Sequence, residues 1–242
     1  MFSQYFQTLQ NCFKVGELRS RIFFTLSLLV VCRLVSMVPL PGLDGAILSE
    51  FFTNLKNEQD TPGLLGMYSM FTGGALERCA VGSLGIMPYI SASIIIQLLT
   101  VVWPYLERLS KEGELGRRKI THYTRYGTIA LCLVQAMAIA IFLERQTNVG
   151  GLPLVYEPGW TFRLMTVLTL TTGTGFIMWL GEQITERGIG NGMSLIIFAG
   201  IVAGLPVSLG NTLSMVSTGE LSVFAVVIIL IMAALVMAFI VF

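Results

Sequence analysis

Residues 63–102, GLLGMYSMFTGGALERCAVGSLGIMPYISASIIIQLLTVV, decide the fold. A short apolar stretch (Leu64, Leu65, Met67, Tyr68, Met70, Phe71) runs into Gly73 and Gly74, then into Glu77 and Arg78, then into an uncharged run over 79–106. At about 1.5 Å of rise per helical residue, the first piece covers roughly half of a ~30 Å hydrocarbon core, whereas the second is long enough to cross it. The spacing therefore predicts a helix broken at the glycine pair. Non-helical backbone at membrane depth survives only where it lines a cavity or is buried in protein, so broken helices mark the working sites of channels and transporters.

The rest of the chain has the same character. Of its 242 residues, 54% are hydrophobic and 12% are charged, against roughly 25% charged in an ordinary soluble domain. Further uncharged runs cover 126–143, 164–181, 188–219 and 221–242, each long enough to span. Another span, over 22–38, is interrupted only by Arg33 and stopped by Pro39 and Pro41, because proline cannot continue a helix interior. The expected architecture is an all-α membrane protein, a polytopic helical bundle with six transmembrane spans near 22–38, 75–103, 121–143, 160–181, 193–210 and 221–242. The last run reaches Phe242 with no polar flank, so the chain reads as part of something longer, with the sixth span truncated.

Lysine and arginine set the orientation, since translocated loops are depleted of them. Lys14, Arg19 and Arg21 precede the first span, and Arg108, Lys111, Arg117, Arg118, Lys119 and Arg125 crowd the loop between the second and third. The opposite loops hold mainly Lys56, Arg145 and Arg163, which makes the N-terminus cytoplasmic. Within residues 1–21, Phe2, Phe6, Leu9 and Phe13 recur with helical spacing, as expected of an amphipathic segment in the cytoplasmic interface. The basic loop serves either to dock a cytosolic partner or anionic headgroups, or simply to anchor the topology.

Motifs for chemistry are scarce. The four cysteines stand singly, His122 is the only histidine, and 113–119 reads GELGRRK, without the order that cradles phosphate. No cofactor, metal, catalytic residue or direct nucleic-acid binding is expected. Pro88 is expected to kink the second span, and Arg33 to snorkel outward or pair with an acid such as Glu77. Three functional classes fit broken helices: a channel, a secondary transporter of a small solute, and an intramembrane enzyme. A transporter needs coupling charges near mid-membrane, and spans two to six have none at their centres; an enzyme would have only Glu77 and Arg78 to work with.

Residues 73–102, the loop KEGELGRRKITHYTRYGT and the stretch WLGEQITERGIGNGMSLIIFAGIVAGLP (179–206) closely resemble the SecY family, the channel subunit of the bacterial Sec protein translocase. The resemblance implies two inverted five-helix halves around an hourglass pore, residues 22–210 forming the first half and 221–242 the first helix of the second. It implies a plug over 63–73 swinging on Gly73 and Gly74, and a pore ring that includes Ile86, Ile90, Met193 and Ile197. In each pair the i, i+4 spacing turns both side chains the same way. Met193 stands where the family commonly has isoleucine. Ser91, Gln97 and Gln135 are the candidates for the seam that opens to lipid, and Arg117, Arg118 and Lys119 for the cytoplasmic basic loop. The implied partners are SecE and SecG, the SecA motor or the ribosome, signal-sequence-bearing polypeptides, and lipid of the bacterial inner membrane.

Overall fold

A computed structural model describes residues 15–43, 48, 72–145, 154–155, 157–219 and 222–241. The plug residues Leu64, Leu65, Met67, Tyr68, Met70 and Phe71, and the aromatic segment before residue 15, lie outside the described residues. The helices are α1 (Gly16–Val35), α2 (Met87–Val102), α3 (Pro104–Lys111), α4 (Glu114–Arg145), α5 (Trp160–Arg187), α6 (Gly192–Ser217) and α7 (Val223–Val241). The fold is all-α and polytopic. Among the described residues α4, α5 and α6 are each long and apolar enough to cross a membrane, and α2 with α3 passes the same test as a bent pair. Among the described residues the apolar part of α7, Phe224–Ile240, is shorter, and α1 carries three arginines.

The second span departs most from expectation. The stretch over 75–103 is helical only from Met87, and residues 73–86 form a run of tight turns. Gly73, Gly74 and Gly85 take φ of 64°, 80° and 54°, in the left-handed region open to glycine, and Cys79 joins them at 38°. The run closes much of its own backbone: Cys79 N donates to Leu76 O, Ala80 N to Ala75 O, Ser83 N to Ala80 O and Gly85 N to Gly82 O, each at 2.9 Å. It is also stitched to the segment after α1. Val81 N donates to Val38 O at 2.8 Å and Leu40 N to Cys79 O at 3.0 Å, around an antiparallel bridge between Pro39 and Ala80.

Pro88 does not kink a span, because it falls in the first turn of α2, where its missing N–H would have had no helical partner. The helix ends at Val102 for a related reason. Trp103 precedes Pro104 and is driven to an extended conformation (φ −99°, ψ 114°), after which α3 leaves at 100° to α2. The sequence 104–111 is therefore a short amphipathic helix with Leu106 and Leu109 buried, where a loop was expected.

Helices α4 and α5 form the antiparallel heart of the first unit. Thr124, Thr128, Cys132, Ala136 and Ala140 recur every four residues along α4 and are all buried. This stripe of small side chains lets α5 approach closely at Leu170, whose carbonyl accepts from Cys132 Sγ at 3.8 Å, and at Thr174. At one end Arg125 Nε meets Glu182 Oε1 at 2.6 Å. At the other, Arg163 Nη2 lies 2.6 Å from Glu144 Oε2, Gly159 N donates to Glu144 Oε1 at 3.0 Å, and the Arg163 guanidinium stands over the Trp160 ring at 5.3 Å. Helix α1 joins this pair at Thr25, whose Oγ1 accepts from Ile189 N at 3.2 Å.

The chain divides into two compact units, Met1–Ile201 and Val202–Phe242. The second contains the rest of α6, with Pro206 inside the helix, and α7, whose start is capped by Ser222 Oγ accepting from Phe224 N at 3.3 Å.

The small stripe makes a prediction. Ala136→Leu or Ala140→Leu, at positions with no exposed surface, should cost about 1–3 kcal/mol through overpacking. Val134→Ala, 69% exposed on the opposite face, should cost far less. Reaction of the buried Cys132 thiol with a fluorogenic maleimide during heating in detergent reads the difference in Tm.

Candidate functional site: an apolar cavity behind the broken segment

Where the turns of 73–86 give way to α2, the first unit holds a partly open cavity of about 30 Å³. A cavity of this size is large enough to hold a water molecule. Its wall is mainly aliphatic: Ile86 just before α2, Ile90 from its first turn, Ile177 from α5, and Ile196 and Ile197 from α6. Arg33 is the charged side chain in that wall. Its Nη2 donates to the Ala199 carbonyl of α6, and its guanidinium lies against Gly73. The expected outward snorkelling is thus corrected: Arg33 reaches into the bundle, because α1 packs with this face toward α6 and the turns.

The ring residues inferred from the sequence are brought together in part. Ile86, Ile90 and Ile197 share the cavity wall. Met193 sits one turn before Ile197, is half-buried, and belongs to the same apolar cluster, but it does not line the cavity. Its thioether packs on Gly181 of α5: a Cβ added there would lie 2.5 Å from Met193 Sδ, and the thioether would have to shift to admit it. The start of α6 is fixed by Asn191, whose Oδ1 accepts from Met193 N at 3.0 Å and from Ser194 N at 3.4 Å. Gly192 N is held in turn by Thr185 Oγ1 at 2.9 Å.

The remaining candidates are dispersed. Gly73 and Gly74 form the first turns of the irregular segment. Ser91 is half-buried on α2, and Gln97 is exposed and donates to Ser93 Oγ at 3.3 Å. Gln135 is half-buried on α4, with an enclosed Oε1 that has no hydrogen-bond partner. Arg117, Arg118 and Lys119 are exposed but do not form a loop. They occupy the first turns of α4, where Arg118 pairs with Glu114 at 2.8 Å across one helical turn. Arg33 and the acids Glu144 and Glu182 are site or scaffold residues for which sequence reading assigned no such part, whereas Asn191-Gly192 was expected to open a helix and does. Asparagine before Gly192 at a helix start was a usable signal for the cap, whereas nothing local marks which arginine meets which acid.

With this geometry in hand, comparison with known proteins is decisive. The SecY family model matches residues 80–242. The chain belongs to the SecY family. It is 52% identical to the protein translocase subunit SecY of Vibrio cholerae and 49% identical to that of Escherichia coli K12, in each case over 94% of this chain. The SecY-family chain spans about half the length of these relatives, 49% and 50% respectively. Two solved structures share its fold at a TM-score of 0.54 and 17% identity: Sec61 in the canine ribosome-channel complex from the endoplasmic reticulum, and a protein conducting channel. Each match covers 82% of this chain and 41% of the other. This SecY-family chain is accordingly a multi-pass membrane protein.

The cap at Asn191 is testable. Asn191→Ala should lower stability by about 1 kcal/mol and Asn191→Asp should preserve it, since an aspartate oxygen accepts the same N–H bonds. Thermal unfolding of the purified protein in detergent compares the two.

Proposed function

We propose that this chain forms the first half of a protein-conducting channel, residues 22–210, together with the first helix of the second half, 221–242. Such a channel passes unfolded polypeptides across a membrane and releases apolar segments into it. The observation that supports this most directly is the convergence of Ile86 at the end of the non-helical segment, Ile90 of α2 and Ile197 of α6 on one apolar cavity. An aliphatic collar of this kind resists continuous water and ions, yet offers little hydrogen-bonding grip to a passing chain of arbitrary sequence. Met193 completes this half of the collar if α6 turns slightly, which its flexible thioether tolerates.

In this reading residues 63–73 are the plug, hinged at Gly73 and Gly74. Ser91, Gln97 and Gln135 lie on the helices that part toward lipid, and Arg117, Arg118 and Lys119 face the cytosol. The protein lies in the bacterial inner membrane with its N-terminus cytoplasmic, works with SecE and SecG, receives signal-sequence-bearing substrates from SecA or the ribosome, and performs no chemistry itself. The relatives' description as translocase subunits supports this, and so does the likeness to channel folds.

Two measurements test the reading in the full-length protein. Replacing Ile86 and Ile90 with serine should raise resting ion leak across reconstituted vesicles and relax the selection of signal sequences; unchanged conductance would overturn the collar. Cysteines placed in residues 64–71 and in the membrane helix of SecE should crosslink during active transport and much less at rest, whereas absence of crosslinks in active complexes would mean a fixed plug.

A further inference from the structure

A charge withdrawn from water needs partners, and an arginine inside a membrane bundle is among the costliest side chains to leave without them. Arg33 finds its partners on two other elements. It projects from the last turn of α1, donates through Nη2 to the Ala199 carbonyl of α6, and fills the space that a side chain at position 73 would occupy, with Cζ 2.9 Å from that Cβ position. Gly73 is thus held to glycine by its φ of 64°, and any side chain there would also have to displace the guanidinium. A single side chain therefore joins α1, α6 and the beginning of the turns, in the same wall that carries Ile86, Ile90 and Ile197.

We propose that Arg33 is a positioning residue that latches the closed pore. Held by the Ala199 carbonyl, its guanidinium fixes the hinge at Gly73 and the register of α6 in the arrangement that brings the three isoleucines together. The inference deepens the channel reading above and rests on it. Displacing the turns at Gly73, or sliding α6, strips a partner from a charge in an apolar wall. The closed arrangement is favoured until water enters the cavity and solvates the guanidinium. Arginine suits this role because its planar fork of donors serves two directions at once, whereas a lysine ammonium is a single point on a flexible stem.

The test uses the full-length protein assembled with its partner subunits in vesicles, measuring resting ion leak and polypeptide transport. The variants are Arg33→Met, Arg33→Lys, Gly73→Ala, the Arg33→Met/Gly73→Ala double variant, and Ile86→Ser/Ile90→Ser as a reference. Arg33→Met should raise resting leak several-fold while transport persists, and Arg33→Lys should restore only part of the seal. Gly73→Ala should leak because its methyl group expels the guanidinium, and the double variant should leak no more than Gly73→Ala alone, since both changes remove one contact. Strictly additive leaks, or a sealed Arg33→Met protein, overturn the latch. If Arg33→Met fails to fold, Arg33→Lys carries the test, and a wild-type seal there has the same force. A leaking isoleucine variant beside silent Arg33 variants sinks the latch alone, whereas silence in both sinks the channel reading itself.

Discussion

Backbone that leaves the helix inside a bilayer must find its hydrogen bonds within the protein, because the hydrocarbon offers none and each unpaired group costs several kcal/mol. Residues 73–86 meet this constraint in two ways. Tight turns close part of the run on itself, and residues 79–81 pair with 38–40 like a fragment of a sheet. Pro39, having no N–H, belongs in such an extended stretch and could not have prolonged α1. Close packing then hides the arrangement: Val81 O rests where Gly173 of α5 has no side chain, and Gly82 lies so near Ile177 that a Cβ there would sit 3.1 Å from its Cδ1. Everything at the cavity follows from this anchoring. It determines where α2 begins, and hence where Ile86 and Ile90 stand.

The scaffold around that segment is held by size and by charge in different places. Along the middle of α4 and α5 the contact is made by small residues and by Leu170, and none of the ion pairs between the two helices lies there. The ion pairs sit toward the ends, where Glu182 and Glu144 are enclosed (12% and 7% exposed) and their arginines remain partly open. This division is physically sensible. A pair near the polar boundary avoids most of the desolvation that makes fully buried pairs poor stabilisers, while enclosure of the carboxylate spares it from screening. Arg125 and Arg163 therefore serve as structural clasps at opposite ends of the helix pair.

Some of this was legible in the sequence. The break was, because Gly73, Gly74 and the charges at 77 and 78 interrupt an apolar run in a way no continuous helix would. Its extent was not. The run over 79–106 is uncharged throughout, and apolarity alone cannot separate a buried turn from a helix. The signals that could have done so were Gly82, Gly85 and Pro88, which mark the approach to a helix start, and Trp103 before Pro104, which marks its end. The stripe from Thr124 to Ala140 was likewise available as a four-residue period of small side chains, but it disappears when hydropathy is merely averaged. The ring positions came from family resemblance, since an isoleucine in a membrane helix carries no local mark of facing a cavity.

Arg33 shows why such a site resists reading from sequence. Hydropathy treats the residue as a defect in an otherwise apolar span, to be explained by its distance from the nearest interface. Geometry gives it a direction, and the direction depends on α1 packing against α5 at Thr25 and on Gly73 leaving room for a guanidinium. Neither condition is local to residue 33. An apolar cavity makes a charge intolerable without partners, and the same intolerance lets that charge discriminate between two arrangements of its neighbours more sharply than another isoleucine could. In the channel proposed above, a water-repelling collar and Arg33 would be complementary: the collar keeps the dielectric low, and the low dielectric gives the contacts of the arginine their weight.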